Sequence, residues 1–319
     1  MCRDSSQGIL TIINSLPNLD TMKQIIEPVD KALLIEEINA LEKVRDTGHG
    51  ENEIYIFHAS TSPNLMREVG RLREEAFRSG GGGTGEEIDI DENDLSADGY
   101  QQLITWDPRT HDILGGYRFI VCRTKDAKHL STEHYFEFSD KFREEYLPHT
   151  IELGRAFVKA AEGREAIKSI YALDNLWDGI GALIVRNPDM KYLIGKVTLY
   201  DSYNVEARNL LLYFLDKHFG DKESLLRGRC PLQSDIDTAK MEELFVGDSY
   251  DEDYRILRSA IKEHHEIIPP MMNAYMNLSP DMRVFETIHN PELGNVYETG
   301  IMVTIAHIHS DKFERYTKW

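Results

Sequence analysis

The stretch from Thr150 to Phe219 constrains the fold more than any other part of the chain. Thr150 to Val158 (TIELGRAFV) reads as a central strand. Ala166 to Arg186 follows as a long helix, with Ile167, Ile170, Trp177, Ile180 and Ile184 on one apolar stripe. Lys191 to Tyr200 (KYLIGKVTLY) is a second strand with its own glycine, Gly195. Val205 to Phe219 is a Leu-rich helix closed by Gly220, a residue suited to the position just past a helix end. Strand, helix, strand and helix in that order predict an α/β fold around a mixed sheet. Within the first strand, alternation places Glu152 and Arg155 on opposite faces, and Gly154 between them predicts a bulge that re-aims one of them.

The flanking chain is consistent with this core. Lys31 to Val44 reads as a helix, Glu53 to Ala59 as a strand, and Ser62-Pro63 opens a helix with Leu65, Val69, Leu72 and Ala76 at helical spacing. That helix also carries Arg67, Arg71, Arg73 and Arg78, with Glu68, Glu74 and Glu75 as ready partners. Tyr100 to Trp106 and Ile113 to Val121 form a hairpin around a polar turn. Ser79 to Gly85 (SGGGGTG) and the acidic run Glu86 to Asp94 read as a flexible surface loop or a lid over a site. Beyond residue 220 helical pieces are expected near Met241 and over Glu252 to His264, with a late strand, Thr299 to His307, at a sheet edge. These elements divide the chain into an N-terminal helical extension (1–50), a core (51–220) and a C-terminal extension packed on it (221–319).

Charge narrows the functional classes. Lys+Arg number 36 against 55 Asp+Glu, a net −19, which argues against nucleic acid as a partner. No apolar stretch approaches the roughly 20 residues that span a bilayer, and Met1 to Asp20 lacks the pattern of a secretory signal. A cytoplasmic location is expected, with peripheral membrane contact left open. The cysteines show no CxxC spacing, and His264-His265 and the His307/His309 pair lack a third ligand, so no metal is expected. No phosphate-binding loop of the GxxxxGK[ST] type occurs, and no GxGxxG follows a strand.

A non-local constellation carries more information. Leu72–Phe77 (LREEAF), Asp89–Asp94 (DIDEND), Gly116-Tyr117-Arg118 and Glu152-Leu153-Gly154-Arg155 occur in that order. This pattern resembles the acyl-carrier-protein-dependent branch of the GNAT N-acyltransferases, which includes the autoinducer synthases and the ornithine-lipid N-acyltransferases. Gly70–Glu74, Gly82–Gly85, Tyr171–Gly179 (YALDNLWDG), Ile268-Pro269-Pro270, Asn273–Pro280 (NAYMNLSP) and Glu298-Thr299-Gly300 are similar to the glycine-lipid synthases of the Bacteroidetes type. The resemblance covers roughly residues 50–310. Gly82 departs from it, standing where the family more often has glutamate.

The resemblance implies a GNAT-like fold, a mixed sheet with splayed strands flanked by helices. It also implies a reaction in which an amino acid's amine, glycine's by sub-family, attacks the thioester of an acyl group carried on the phosphopantetheine of acyl carrier protein. That chemistry needs oxyanion donors, which a bulged strand supplies from its backbone. It needs a base, for which Glu152 is the first choice and Asp91 or Asp94 the second. Glu152 has an alternative role as an ion-pair partner of Arg155 or Arg118, and both readings stay open. A substrate carboxylate calls for arginine, from Arg118, Arg155 or Arg73. Arg71, Phe77, Trp106 and Trp177 complete the expected substrate contacts. Lys159 to Ala166 does not match the diphosphate loop that coenzyme A uses, which favours the carrier protein with coenzyme A as the alternative. Cations for docking an acidic carrier are sought among Lys159, Arg164 and Lys168, or Lys191, Lys196, Arg208 and Lys217. Trp177, Ile180, Leu211, Tyr213, Phe214 and Leu215 offer walls for an acyl channel, and Met271, Met272 and Met276 a soft apolar surface. The rival readings are a coenzyme-A-dependent acetyltransferase and a non-catalytic acidic binding module on the same fold.

Overall fold

The computed structural model describes residues 22–159, 166–247 and 249–319. In chain order the elements are α1 (Lys31–Asn39), β1 (Lys43–Asp46), β2 (Glu53–His58), α2 (Pro63–Ser79), α3 (Glu92–Leu95), β3 (Gln101–Asp107) and β4 (Asp112–Cys122). Then come α4 (Ser131–Tyr135), β5 (Phe136–Phe138), β6 (Thr150–Val158), α5 (Ala166–Arg186), β7 (Tyr192–Leu199) and α6 (Val205–Phe219). The chain closes with β8 (Leu226–Gly228), α7 (Thr238–Leu244), α8 (Tyr250–Glu263), α9 (Pro270–Met276), β9 (Arg283–Asn290), β10 (Val296–Thr304) and α10 (Ser310–Thr317).

Eight strands form one mixed sheet in the order β1-β2-β3-β4-β6-β7-β10-β9, and β5 pairs with β8 in a small second sheet. Helices cover both faces. Leu34, Ile38, Leu65, Val69 and Leu72 of α1 and α2 pack on Tyr55, Phe57, Ile104 and Trp106. Leu176, Trp177, Ile180 and Leu183 of α5 pack with Leu103, Tyr117, Ile151 and Leu193 on the other side. With Leu103 on one face and Ile104 and Trp106 on the other, β3 is buried on both sides, which explains its near-continuous apolar run.

Three expectations need correction. The first helix stops at Asn39, because Lys43 and Val44 extend as β1 along β2. The late strand is not an edge: β10 lies between β7 and β9, and β9, unread in the sequence, takes the edge. The glycine-rich and acidic segments are not a loose loop. The buried Glu74 carboxylate accepts from Thr84 N (3.0 Å), Thr84 Oγ1 (2.8 Å) and Gly85 N (2.8 Å), and Gly82 lies where a Cβ would sit 2.9 Å from the Leu293 carbonyl. The boundaries expected at residues 50 and 220 fall inside chain that builds one sheet, since β1 precedes the first and β9 and β10 follow the second.

One junction departs from regular pairing. β6 and β7 are the sheet's parallel neighbours, and their register covers only Thr150↔Tyr192, Ile151↔Leu193 and Glu152↔Ile194. Each strand is satisfied on its other side: β7 pairs with β10 from Tyr192 to Leu199, and β6 follows β4 out to Val158. The two halves of the sheet therefore pull apart beyond Glu152. A bulge sets the angle. The β4–β6 register slips between Gly116↔Phe157 and Arg118↔Gly154, and the residue in the left-handed region is Arg155 (φ 50°) rather than Gly154. Such a φ costs a non-glycine residue about 1–2 kcal/mol. At the vertex, a Cβ on Gly195 would lie 2.8 Å from the Leu153 carbonyl oxygen, so a side chain there would push the strands apart.

Candidate active site

A cavity of about 580 Å³ occupies the fork. Leu153 to Val158 of β6 and Lys196 to Leu199 of β7, with Tyr200 just past its end, line its two sides. Its polar part gathers Arg118, Ser131, Tyr135, Arg155, Lys196, Asn290 and Glu298, and its apolar part Phe77, Leu173, Leu176, Leu293, Pro270 and Met271. A charged head and a hydrocarbon tail would each find matching surroundings there.

The arginines at the polar part are held from behind by the acidic segment. Arg118 Nη1 lies 2.7 Å from Asp91 Oδ2 and 3.2 Å from Asp94 Oδ2, and its guanidinium stacks 4.4 Å over the Tyr100 ring. Arg73, fully buried, binds Asp94 at 3.1 Å and donates to Gln102. Arg155 reaches Asp89 at 3.5 Å and Asp91 at 3.9 Å. Burial alone would raise the Asp94 carboxyl, but the guanidiniums of Arg73 and Arg118 outweigh it and hold the group well below the usual carboxylate range. Burial dominates at Asp89 and pushes its carboxyl up despite Arg155. Asp91 and Asp94 form a reciprocal capping box on α3. Both carboxylates expected as reserve bases are thus anchors for arginines, and neither lines the cavity.

Glu152 also departs from expectation. It is 1% exposed and outside the cavity lining. Its Oε1 accepts from Ser131 Oγ (2.9 Å), Thr132 N (2.8 Å) and Thr132 Oγ1 (2.8 Å). The carboxylate fixes the start of α4 and has no direct access to a substrate amine. Neither proposed ion pair of Glu152, with Arg155 or with Arg118, occurs among the described salt bridges.

Of the expected substrate contacts, Arg118, Arg155 and Phe77 line the cavity and the others do not. Arg71 pairs with Glu68 (2.6 Å) and Glu75 (3.1 Å) on its own helix, and Arg73 is sealed in the network above. Trp106 is core beneath α1 and α2, and Trp177 packs against Tyr275 (ring centroids 5.1 Å apart). Ile180, Leu211, Phe214 and Leu215 are likewise core, with Tyr213 packed against it, so the channel wall falls to Leu173 and Leu176 instead. Met272 and Met276 are buried, while Met271 lines the cavity with its sulfur 3.7 Å from the Tyr117 hydroxyl. Among the docking cations, Arg208 is buried against Tyr297, Lys217 pairs with Asp253 at 2.7 Å, Lys159 lies 3.4 Å from Asp112, and Lys196 is inside the cavity. Residues 160–165, Arg164 among them, lie outside the described residues, and the Lys168 side chain is not described.

Lys196 was expected only as a docking cation, and Ser131, Tyr135 and Asn290 were not read as site residues. A lysine inside the apolar run of β7 was the available signal, since a charge in a buried strand needs a reason. Glu298 stood in a motif of the resemblance without an assigned role. Its Oε2 accepts from Asn290 Nδ2 (3.0 Å), whose Oδ1 accepts from the Tyr135 hydroxyl (3.0 Å). Among the described residues, no group of three or more His, Cys, Asp or Glu is placed to hold a metal ion. No helix among them is long and apolar enough to cross a membrane.

The mixed sheet, forked at a parallel pair around this cavity, agrees with the GNAT-like fold expected from the sequence, and residues 72–170 match the family model for the acetyltransferase (GNAT) domain. The chain is 46% identical over 302 residues to the glycine N(alpha)-acyltransferase of Phocaeicola vulgatus, covering 92% of this chain and 93% of that one. It is 47% identical to the same enzyme of Bacteroides thetaiotaomicron, covering 92% and 90%. The chain belongs to the glycine N(alpha)-acyltransferase family, and it is an acyltransferase. The crystal structure of the AHL synthase LasI aligns with 50% of this chain and 76% of that chain at 16% identity and a TM-score of 0.32, too slight a likeness to carry an argument.

Proposed function

We propose that the protein transfers a long-chain acyl group, 3-hydroxylated or plain, from the phosphopantetheine of acyl carrier protein to the amine of glycine. The acyl glycine formed is a first step toward an aminolipid, and its apolar tail gives the enzyme a reason for peripheral contact with a membrane. The observation that carries this reading is the fork. A pantetheine arm carries amide groups, and the facing edges of β6 and β7 beyond Glu152 and Ile194 have no ladder partners among the described residues. The arm can lie between the strands as a surrogate strand, its thioester near the vertex and its acyl chain against Leu173, Leu176 and Met271.

In the reaction the glycine nitrogen bonds to the thioester carbon, the carbonyl oxygen becomes an oxyanion, and collapse breaks the C–S bond to release pantetheine thiol. Backbone N–H groups on the free edge of β6 are the donors for the oxyanion. Glycine's carboxylate has a partner in Arg118, whose buried Nε has no hydrogen-bond acceptor among the described residues. Gly154 leaves the space for it, since a Cβ there would sit 3.6 Å from Arg118 Nε and 3.9 Å from Ser131 Oγ.

The test is to incubate pure protein with acyl carrier protein charged with a long acyl chain and each amino acid in turn, reading amide formation by mass spectrometry. N-acyl glycine is the expected dominant product. No amide with any amino acid would refute the activity, and faster transfer from acetyl coenzyme A would refute the carrier.

A further inference from the structure

We propose that Lys196 is the base that takes the amine's proton, held for that task by Ser131 and Glu152. The inference rests on the reading of the cavity as the place where thioester and amine meet.

Lys196 follows Gly195 at the vertex of the fork, and it lines the cavity. Its Nζ lies 3.1 Å from Ser131 Oγ. The Ser131 hydroxyl has one proton, which it donates to Glu152 Oε1 at 2.9 Å. Toward Lys196 the serine oxygen is therefore an acceptor, and it draws one N–H of the lysine to itself. A neutral amine held in this way keeps a lone pair for the cavity. A carboxylate, a hydroxyl and a basic nitrogen in series form an oriented base, with Ser131 and Glu152 as positioning residues and Lys196 as the catalytic one.

The surroundings suit a lysine that gives up its charge. Arg118 faces it from β4 and Arg155 from β6, Glu298 from β10, Glu152 from behind Ser131, and the Tyr135 ring lies 5.2 Å away. Burial is the largest influence and lowers its affinity for a proton, the two arginines act in the same direction, and the carboxylates of Glu298 and Glu152 oppose them without prevailing. Near neutral pH a larger fraction of such a lysine is neutral than in water, and only the neutral amine can accept a proton.

The step balances. Glycine's ammonium releases one proton to solvent, and its nitrogen then attacks the thioester carbon. As the C–N bond forms, a second proton passes to Lys196 Nζ. As the C–S bond breaks, Lys196 returns that proton to the pantetheine sulfur and is neutral again. Products are the amide and the thiol, with no other reactant required.

The experiment compares wild type, Lys196→Arg and Glu298→Gln with acyl carrier protein thioester and saturating glycine across pH 6–9. Arginine keeps the positive charge and does not deprotonate in this range. The expected result for Lys196→Arg is a fall in kcat of at least tenfold, toward the ~10²–10⁴ that positioned proton transfer supplies. KM for glycine should stay within about threefold, and the rise of kcat with pH expected of wild type should be absent. Ser131→Ala should keep that rise but move it along the pH axis, which a merely structural serine would not do. A Lys196→Arg variant with kcat less than tenfold down overturns the proposal, because only charge then matters. A pH rise that survives in Lys196→Arg and vanishes in Glu298→Gln also overturns it and gives the proton to Glu298. Lys196→Met, read by the same criteria, covers the case in which arginine disturbs the fold. A wild type that acylates no amine refutes the parent reaction and this inference with it, whereas an active wild type with an active Lys196→Arg refutes the inference alone.

Discussion

Replacing Asp94 by asparagine tests the packing logic of the site. Asp94 is wholly inaccessible to solvent, with Arg73 Nη1 at 3.1 Å, Arg118 Nη1 at 3.2 Å and Gln102 Nε2 at 2.9 Å. Asparagine keeps the volume but removes the charge between two buried guanidiniums. Removing one partner of a buried ion pair costs about 3–5 kcal/mol, because the charge left behind keeps its desolvation penalty. At about 1.4 kcal/mol per factor of ten, the folding equilibrium should fall by roughly two to three and a half powers of ten. Urea unfolding at pH 7 reads this as a lower midpoint at unchanged slope. The loss should shrink in acid. Asp94 binds its proton more weakly in the folded state than in the unfolded chain, so its contribution is whole above the ordinary carboxylate range, near 4, and drains away as pH falls below it. The gap between wild type and variant should therefore narrow steadily as pH falls from 5 to 2. Lys23→Ala, which breaks an exposed pair with Glu86, should leave the midpoint unchanged. A loss below 1 kcal/mol for Asp94→Asn, or a gap that does not narrow in acid, would refute the reasoning.

Other outcomes follow from single contacts. Gly154→Ala should fold normally, because its new Cβ meets Arg118 Nε at an ordinary 3.6 Å, yet raise KM for glycine about tenfold or more by covering a charged hydrogen-bond donor; an unchanged KM would remove the carboxylate from this spot. Gly195→Val should cost about 1–3 kcal/mol in urea unfolding and at least tenfold in kcat/KM, since its Cβ starts 2.8 Å from the Leu153 carbonyl; wild-type stability and turnover would show that the vertex tolerates a side chain. Cys122 is 1% exposed and burial pushes its thiol up, so a thiol reagent at pH 8 should modify that cysteine only after denaturation, read by peptide mapping; rapid labelling of the native protein would contradict its placement.

Much of the fold was legible because its signals are local. Val205 to Phe219 and Thr150 to Val158 begin and end where apolar periodicity, a cap and a glycine say they should. The edge order was not, because nothing within β9 or β10 says which of them meets β7. The acidic run looked like a solvated loop because its counter-charges, Arg73, Arg118 and Arg155, sit on three other elements. For the site, the residue types were legible and their roles were not. Glu152 on a central strand is a fair base until Ser131 and Thr132, 21 and 20 residues upstream, are seen to occupy its oxygen. Lys196 looked like surface charge because a strand's two faces are indistinguishable in sequence when both are covered. The bulge was foreseen from Gly154, but the strained position went to its neighbour Arg155, whose side chain the bulge turns toward the cavity.

The most direct measurement is a crystal structure of the protein with a long-chain acyl-pantetheine thioether, a stable mimic of the thioester arm. The arm should lie between β6 and β7, bonding to the unpaired edge of Leu153–Val158, with its acyl chain against Leu173, Leu176 and Met271 and its sulfur within reach of Lys196. An arm bound elsewhere, with the fork empty or filled by side chains, would contradict the account.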